Sequence, residues 1–436
     1  MTAHSLEAFL PIARAANLRA VTDWKDGLRR FSNGNIVPQL ANVIHSLKHA
    51  PEFIGVVAFD EFGLRVVARR SAPWQSKAGE VWGDNDDRKL AEWLQHQGIN
   101  VGVELAAHGV QAVASEECFH PLRDWLNGLE WDGVKRLDDY VTSHLGAEAT
   151  PFHQTVSAKF LMSAVARVLR PGSKADSIVV FEGPQGALKS SAARALFEPY
   201  FCDHLPDLGG KDAYVQLAGV WGIEISELGA LGRASVEKVK AFLSASVDRY
   251  RPPYGKRAIE VPRQCVFVGT TNSDSYLQDE TGGRRFWPIR VGKIDLKRLA
   301  RDRDQLFAEA VVRFRAGEEW WLEPGAISRA AEDVQQQRFA SDAWHEIVDT
   351  WLTEPTQRHD ESGHPVQPYT SIAGCVSVQD VLVHAIGKRV DSWTQVDLNR
   401  VARTLRALKW ERIRKRESGK LVWRYVPSVP APAGVG

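Results

Sequence analysis

The chain has 436 residues, enough for two or three domains with a core each, and its 55 basic and 54 acidic side chains leave a formal charge of +1. That balance excludes a globally cationic protein, so any nucleic-acid surface must be local. The four cysteines, Cys118, Cys202, Cys265 and Cys375, form no C-x-x-C pair, which predicts buried free thiols rather than a zinc ribbon. With no basic-then-apolar leader and no membrane-length apolar run, the chain reads as soluble and cytoplasmic, without a membrane partner.

Residues 1–150 read as an α+β region. Ile36 to His49 carries apolar residues at helical spacing. FIGVVAFDEFGLRVVARR, from Phe53, alternates as a hairpin turning near Glu61 to Gly63. Asp60 and Glu61 have no third carboxylate at matching spacing, so they read as solvated turn residues rather than a metal site. Asp86 to His96 is helical, and HPLRDWLNGLEWDGVKRLDDYV, from His120, reads as packing Trp125 and Trp131 into a core around Asp132-Gly133. Cys118 and His120 read as local packing. A helix from Pro151 ends at Pro171-Gly172 and is placed to cap a nucleotide.

An apolar strand then enters FEGPQGALKSSAARA. A strand, a Gly-rich turn, Lys-Ser and a helix, in that order, make a phosphate-binding loop over Gly183, Pro184, Gln185, Gly186, Ala187, Leu188, Lys189, Ser190 and Ser191. Backbone N–H groups and the helix N-terminus would hold an oligophosphate, with Lys189 reaching the terminal phosphates and Ser190 ligating Mg²⁺. Leu188 stands where the motif has its second glycine. The expectation is a distorted cradle, or a more helical turn with Gly186 taking the strain.

About 40 residues on, LAGVWGIEISELGAL places a short strand over Val220 to Ile225 with two acids at its end. Glu227 is the choice for the water-activating base and Glu224 for the metal-side carboxylate, with Ser226 an alternative for that place. A helix, ASVEKVKAFLSAS, and the segment VDRYRPPYGKRAIEVPR follow. Arg249, Arg251, Tyr254, Lys256 and Arg257 cluster about a Pro-Pro-x-Gly turn, a projecting hairpin suited to gripping single-stranded phosphates and stacking bases. The strand QCVFVGTTN ends in Thr270, Thr271 and Asn272, the last placed to sense a γ-phosphate and align water. Arg284 and Arg285, on a Gly-Gly turn before a strand, offer planar cations to a neighbouring subunit's phosphate or balance Asp279 and Glu280.

Beyond the polar stretch 353–372, read as a linker or mobile loop, two helices opened by Ser377 and Thr394 precede two short strands about Ser418-Gly419. This is the order of a winged helix-turn-helix over 373–427. Its basic residues include Arg400, Arg403, Arg414, Lys415 and Arg416, which suit duplex or origin DNA; a protein-interaction module is the alternative. Residues 428–436 read as a disordered tail.

Together the blocks EGPQGALKSS, GVWGIEISEL, EKVKAFLSASVDRYRPPYGKRAIEVPRQCVFVGTTN and DETGGRRFWPIRV make residues 151–352 resemble the virulence-associated protein E (VirE) family of P-loop ATPases. That family is carried largely by phages and mobile elements and is similar to superfamily 3 replicative helicases. The His120 segment resembles the region that precedes such ATPase domains in phage primase-helicases. The resemblance implies an α/β P-loop NTPase core of AAA+-like type, between an α+β N-terminal region and a winged-helix-like C-terminal domain. It implies ATP and Mg²⁺ as cofactors, homo-oligomeric rings, commonly hexamers, supplying Arg284 or Arg285 in trans, and DNA contact at Lys256 and Arg257. With no primase metal triad or zinc motif visible, a separate primase or polymerase is expected. The resulting expectation is a DNA-dependent ATPase and replicative helicase, moving on single-stranded DNA. The competing readings are a non-motor DNA-binding scaffold or regulator whose nucleotide site controls assembly, and a small-molecule kinase.

Overall fold

The alternation after Phe53 becomes an antiparallel hairpin in the computed structural model, with β1 (Val57–Asp60) against β2 (Arg65–Ala68) and β3 (Cys118–Phe119) parallel to β1. The structure describes residues 23–428 apart from 75–76, 204–210, 227–239, 253–256, 274–275, 277–284, 324, 326–329, 332–333, 335–342, 354–357, 360–364, 367–373 and 418–419. Helices Leu40–His49, Asp84–His96 and Val103–Ala114 bury Val43, Leu47, Leu90, Leu94 and Val110 with Phe53, which precedes β1, and with Val57 of this small sheet. Asp60 is not solvated as its sequence suggested. It is buried at the turn, accepts the N–H groups of Phe62 and Gly63 at 3.0 Å, and lies 3.7 Å from Arg65. An Asp that caps its own turn in this way satisfies two donors water would otherwise have to reach.

The second core surrounds a five-stranded parallel sheet in the order β10-β4-β9-β6-β5, built from β4 (Ile178–Glu182), β5 (Phe201–Cys202), β6 (Gly222–Ile225), β9 (Val266–Thr271) and β10 (Phe286–Arg290). Every residue of β4, β6 and β9 is buried, as continuous apolar runs in a sheet covered on both faces require. Helix Pro151–Leu169 opens on a Thr150 cap that accepts the His153 N–H at 3.1 Å, and it is buried nearly all round. It packs against helix Leu296–Arg315 in the core, and none of its residues lines the cavity over residues 185–191.

The same core takes in Leu122, Leu126, Leu137, Tyr140 and Leu145, so it does not break at residue 150. Trp125 stacks edge-on against Trp221 and Phe307 there, as expected. Trp131 does not join it: its indole donates to the Val134 carbonyl of its own turn. Buried Trp221 anchors the acidic strand, donating to the Ala164 carbonyl at 3.0 Å and meeting Phe197 edge-on. The adjacent Gly222 lets Phe197 lie directly on β6, because a Cβ there would stand 2.2 Å from that ring.

His120 joins two parts of this unit. Its Nδ1 accepts the Arg123 N–H at 3.0 Å as a helix cap, and its Nε2 lies 2.7 Å from the Gln264 side-chain oxygen. Both bonds require the neutral ring protonated at Nε2, and burial lowers its pKa from the ordinary 6.5. Below pH 6.5 the unfolded chain therefore takes up a proton that the folded one refuses. Stability should fall by up to about 1.4 kcal/mol per pH unit in that window, down to the lowered pKa. Urea midpoints at pH 7 and pH 5.5 test this: His120→Gln should flatten the acid-side slope, and an unchanged slope would contradict the neutral-ring assignment.

Residues Met1–Arg338 form one compact unit and Phe339–Gly436 another. In the second, Val348, Val376, Leu382, Val401, Leu405 and Tyr425 share a core. Helix Gln395–Ala407 opens on a capping box between Thr394 and Asp397, and β13 (Trp410–Glu417) pairs antiparallel with β14 (Lys420–Pro427). Ser377 opens a single α-turn that continues as a π-helical stretch, Val381–Ala385. Within the expected linker, β11 (Arg358–His359) pairs with β12 (Pro365–Val366). Cys265 and Cys375 are buried, whereas Cys118 is exposed, contrary to expectation. No helix among the described residues is long and apolar enough to cross a membrane.

Candidate functional site

Parallel strands place their C-terminal ends on one edge, and loops there converge where neighbouring strands diverge. At that edge β4 leads into residues 183–188 and then into helix Lys189–Phe197, flanked by the end of β9 and the end of β6. An open cavity of about 350 Å³ lies over the turn, lined by the loop, Ser226, Thr270, Thr271 and Asn272. Gly183 sits in a tight place, since a Cβ would stand 3.3 Å from the Val291 side chain just beyond β10.

The sequence suggested a distorted loop or strain borne by Gly186. Leu188 itself adopts the left-handed conformation, φ +63° and ψ +23°, in addition to Gly186 at φ +81°. The leucine thus takes the backbone shape a glycine normally supplies, with its side chain turned outward and 47 % exposed. That shape costs an L-residue about 1–2 kcal/mol, against about 0.5–1 kcal/mol for the extra freedom glycine loses on folding. Leu188→Gly is accordingly expected to stabilise the protein by about 0.5–1 kcal/mol, read as a higher urea midpoint. A lower midpoint would contradict the left-handed assignment.

Lys189 is 7 % exposed, and its ammonium donates at 2.8 Å to three oxygens: the carbonyls of Gly183 and Pro184 and Oδ1 of Asn272. Three acceptors use all three protons of a charged lysine. Burial lowers its pKa, and Glu224 works in the opposite direction. Ser190 donates to Glu224 Oε1 at 2.6 Å, and Thr270 donates to the same oxygen at 2.7 Å. Glu224 is buried at the end of β6, where these two hydroxyls and the nearby Lys189 charge compensate its own. Ser190 and Glu224 are hard oxygen donors side by side, a set that fits Mg²⁺. No group of three or more His, Cys, Asp or Glu side chains able to hold a metal occurs among the described residues.

The structure thus brings Lys189, Ser190, Glu224 and Asn272 together. Thr270 is the member that sequence reasoning passed over; a hydroxyl inside an otherwise apolar strand was its signal. Glu182 was also missed: it is buried at the end of β4 and accepts from the Tyr276 hydroxyl at 2.9 Å. Glu227, Arg284, Tyr254 and Lys256 lie outside the described residues.

Arg285 sits elsewhere. It precedes Phe286, which pairs with Ile178 at the start of β4, whereas the phosphate loop follows Glu182, the partner of Arg290. Four to five residues at about 3.3 Å each separate these edges by roughly 15 Å. Arg285 lies 3.7 Å from Asp176 and is mostly buried. The hairpin of β7 (Val247–Tyr250) and β8 (Ile259–Pro262) carries Arg249, Arg251 and Arg257 as exposed cations, Arg249 lying 3.8 Å from Glu260. Its base is held by buried Arg263, which binds Asp248 through two nitrogens.

In the second unit Arg414 and Arg416 are exposed on β13, and Arg403 lies on helix Gln395–Ala407. Two other candidates are held by side chains of this unit, Lys415 while remaining exposed. Arg400 packs over the Trp344 ring at 3.9 Å, and Lys415 donates to the buried Cys375 sulfur at 3.3 Å.

Residues 126–340 match the virulence-associated protein E-like domain. No curated protein matches the chain. Among solved structures, the apo NrS-1 C-terminal region is 12 % identical with a TM-score of 0.45, covering 85 % of this chain and 95 % of that one. An A-form apo structure of that region gives 12 % and 0.43, with 85 % and 96 % covered.

Proposed function

Starting from residues 126–340 as a virulence-associated protein E-like domain, we propose that the chain is a DNA-dependent ATPase. It would act as a replicative helicase of a phage or mobile element, working on single-stranded DNA. The observation that carries this is the convergence of Lys189, Ser190, Thr270 and Asn272 on one cavity at the ends of adjacent parallel strands, with Glu224 bound to Ser190 and Thr270 beneath it. The strand order, read in chain order as 5-1-4-3-2, supports a P-loop core of AAA+ type.

ATP would lie over residues 183–191, its terminal phosphates taking the Lys189 ammonium from the loop carbonyls it now binds. Mg²⁺ would be held by Ser190 and Glu224 and would supply charge neutralisation for the phosphates. Thr270 holds the Glu224 carboxylate in place from behind. Glu227 is assigned as the base that accepts a proton from water, and Asn272 as the group that orients that water once Lys189 shifts to phosphate. Arg284 or Arg285, the latter 3.7 Å from Asp176 within its own subunit, would complete a neighbouring subunit's site in a homo-oligomeric, hexameric ring. The β7–β8 hairpin would grip the strand, and the winged-helix-like unit would engage duplex at an origin. A separate primase or polymerase would supply primers.

The alternative, a DNA-binding scaffold whose nucleotide site controls assembly, is favoured by the leucine at position 188. Turnover decides between them. The full chain with ATP and Mg²⁺ should hydrolyse nucleotide several-fold faster with a single-stranded oligonucleotide than without it. Binding of ATP with no DNA-stimulated hydrolysis would overturn the motor reading.

A further inference from the structure

The two-stranded ribbon of the C-terminal unit carries a device that neither the domain match nor the phosphate-loop site explains. Antiparallel register sets Arg412 opposite Tyr425, Arg414 opposite Trp423 and Arg416 opposite Leu421, so these six residues share one face. The face is buried at Tyr425 and opens outward, with Trp423 44 % and Leu421 64 % exposed. A tryptophan left this open on a small unit is unusual unless its ring is used.

Both flanking guanidinium groups lie over that ring, Arg412 at 3.9 Å and Arg414 at 4.6 Å from its centroid. Neither has a carboxylate partner among the described residues. The indole therefore holds two long, otherwise mobile cations in fixed positions while leaving their N–H donors unused. Beside them runs a groove of about 700 Å³, walled by the ribbon and by helix Gln395–Ala407. Its lining includes Arg406, Arg412 and Arg424 and no acidic side chain, and the helix contributes the amides of Gln395 and Asn399. Arg424 lies 3.5 Å from Asp380, but the fixed planar cations Arg412 and Arg414, an open aromatic ring and amide groups complement a phosphodiester backbone with bases attached.

We infer that this groove binds a nucleic-acid strand, with Arg412 and Arg414 contacting phosphates and Trp423 acting as the positioning residue that holds them. The inference rests on the reading of the chain as a DNA-acting protein, but it concerns a surface separate from the phosphate loop. Two opposite changes separate charge from positioning. Removing both guanidiniums deletes up to two phosphate contacts, each worth about 0.7–0.9 in the slope of log K against log salt. Removing the indole leaves the charges and frees their side chains.

The experiment titrates fluorescein-labelled single-stranded and duplex oligonucleotides with the full-length chain, without nucleotide, across salt concentrations. Arg412→Gln combined with Arg414→Gln should weaken binding to at least one probe and reduce the salt slope by up to about 1.4 for single strand or about 1.8 for duplex. Trp423→Ala should weaken the same probe about five- to tenfold with nearly the parent slope, and Trp423→Phe should restore most of that loss. Whichever probe responds identifies whether the groove takes single strand or duplex. Parent affinity and slope in the double glutamine variant, for both probes, would overturn the inference. If that variant responds but Trp423→Ala does not, the positioning role falls. ATP turnover measured on the same preparations keeps failure here distinct from failure of the motor reading.

Discussion

Lys189→Ala is expected to lower ATP turnover by about 10²–10³-fold, the range seen when one preorganised charge-stabilising donor is removed from a reaction site. The size of the effect follows from the lining of the cavity. Lys189 is the one charged side chain among the described residues that border it, so nothing nearby can take over the phosphates. Folding should be nearly untouched. Of the three residues whose oxygens lose the ammonium, Asn272 lines the open cavity, Pro184 is exposed and Gly183 is half-buried, so water can replace it, which holds the penalty to about 1 kcal/mol or less. Turnover and thermal midpoint measured together give the test: activity within threefold of the parent would remove Lys189 from the reaction site. Loss of activity together with a collapse in midpoint would assign it to stability instead. Lys189→Arg should fail almost as badly, because a planar fork does not fit three acceptors arranged around a single nitrogen.

The elements that carry this site were legible because each has a local signature. An apolar strand, a Gly turn and Lys-Ser set the phosphate loop; a second apolar strand with an acid near its end set Glu224; a third ending in Thr-Thr-Asn set Asn272. Pairing among these strands was not legible, since register is decided by long-range packing of residues such as Trp221 on Phe197 and Phe307. That is why Thr270 was passed over: only the β6–β9 pairing brings its hydroxyl to Glu224. Asp60 failed for a related reason. Its sequence is that of a solvated turn, and its burial comes from what packs on the hairpin. The inward turn of Arg400 likewise depends on Trp344, more than fifty positions away in the chain. Charge counting along a sequence registers such arginines as surface cations, because it cannot see the aromatic face that claims them.

The largest effect on stability is expected at Asp248. Its carboxylate meets Nε and one terminal nitrogen of Arg263, both residues being nearly inaccessible to water. Removing one member of a buried pair strands the other, which typically costs about 3–5 kcal/mol. Arg263 retains the Phe242 carbonyl as acceptor and lies 4.4 Å from the Phe242 ring centroid, so Asp248→Ala should fall at the lower end, about 3 kcal/mol. Replacing both members by apolar residues of similar volume, Asp248→Leu with Arg263→Met, should recover most of that loss, since no buried charge is then left alone.

Function should follow the hairpin rather than the phosphate loop. Asp248 is paired with Val261 in the β7–β8 ladder, and the Lys189–Asn272 and Ser190–Glu224 hydrogen bonds do not involve it. Asp248→Ala should therefore keep basal ATP turnover, at temperatures where it remains folded, while losing stimulation by single-stranded DNA. The double variant should regain stimulation because Arg249, Arg251 and Arg257 are intact on a hairpin whose base is packed again. Denaturation midpoints and the ratio of stimulated to basal turnover read both halves. An unchanged midpoint in Asp248→Ala would mean that the ion pair is not what fixes the hairpin. A destabilised variant that still responds fully to DNA would mean that the strand is gripped elsewhere, and the cations of β7 and β8 would lose their assigned role.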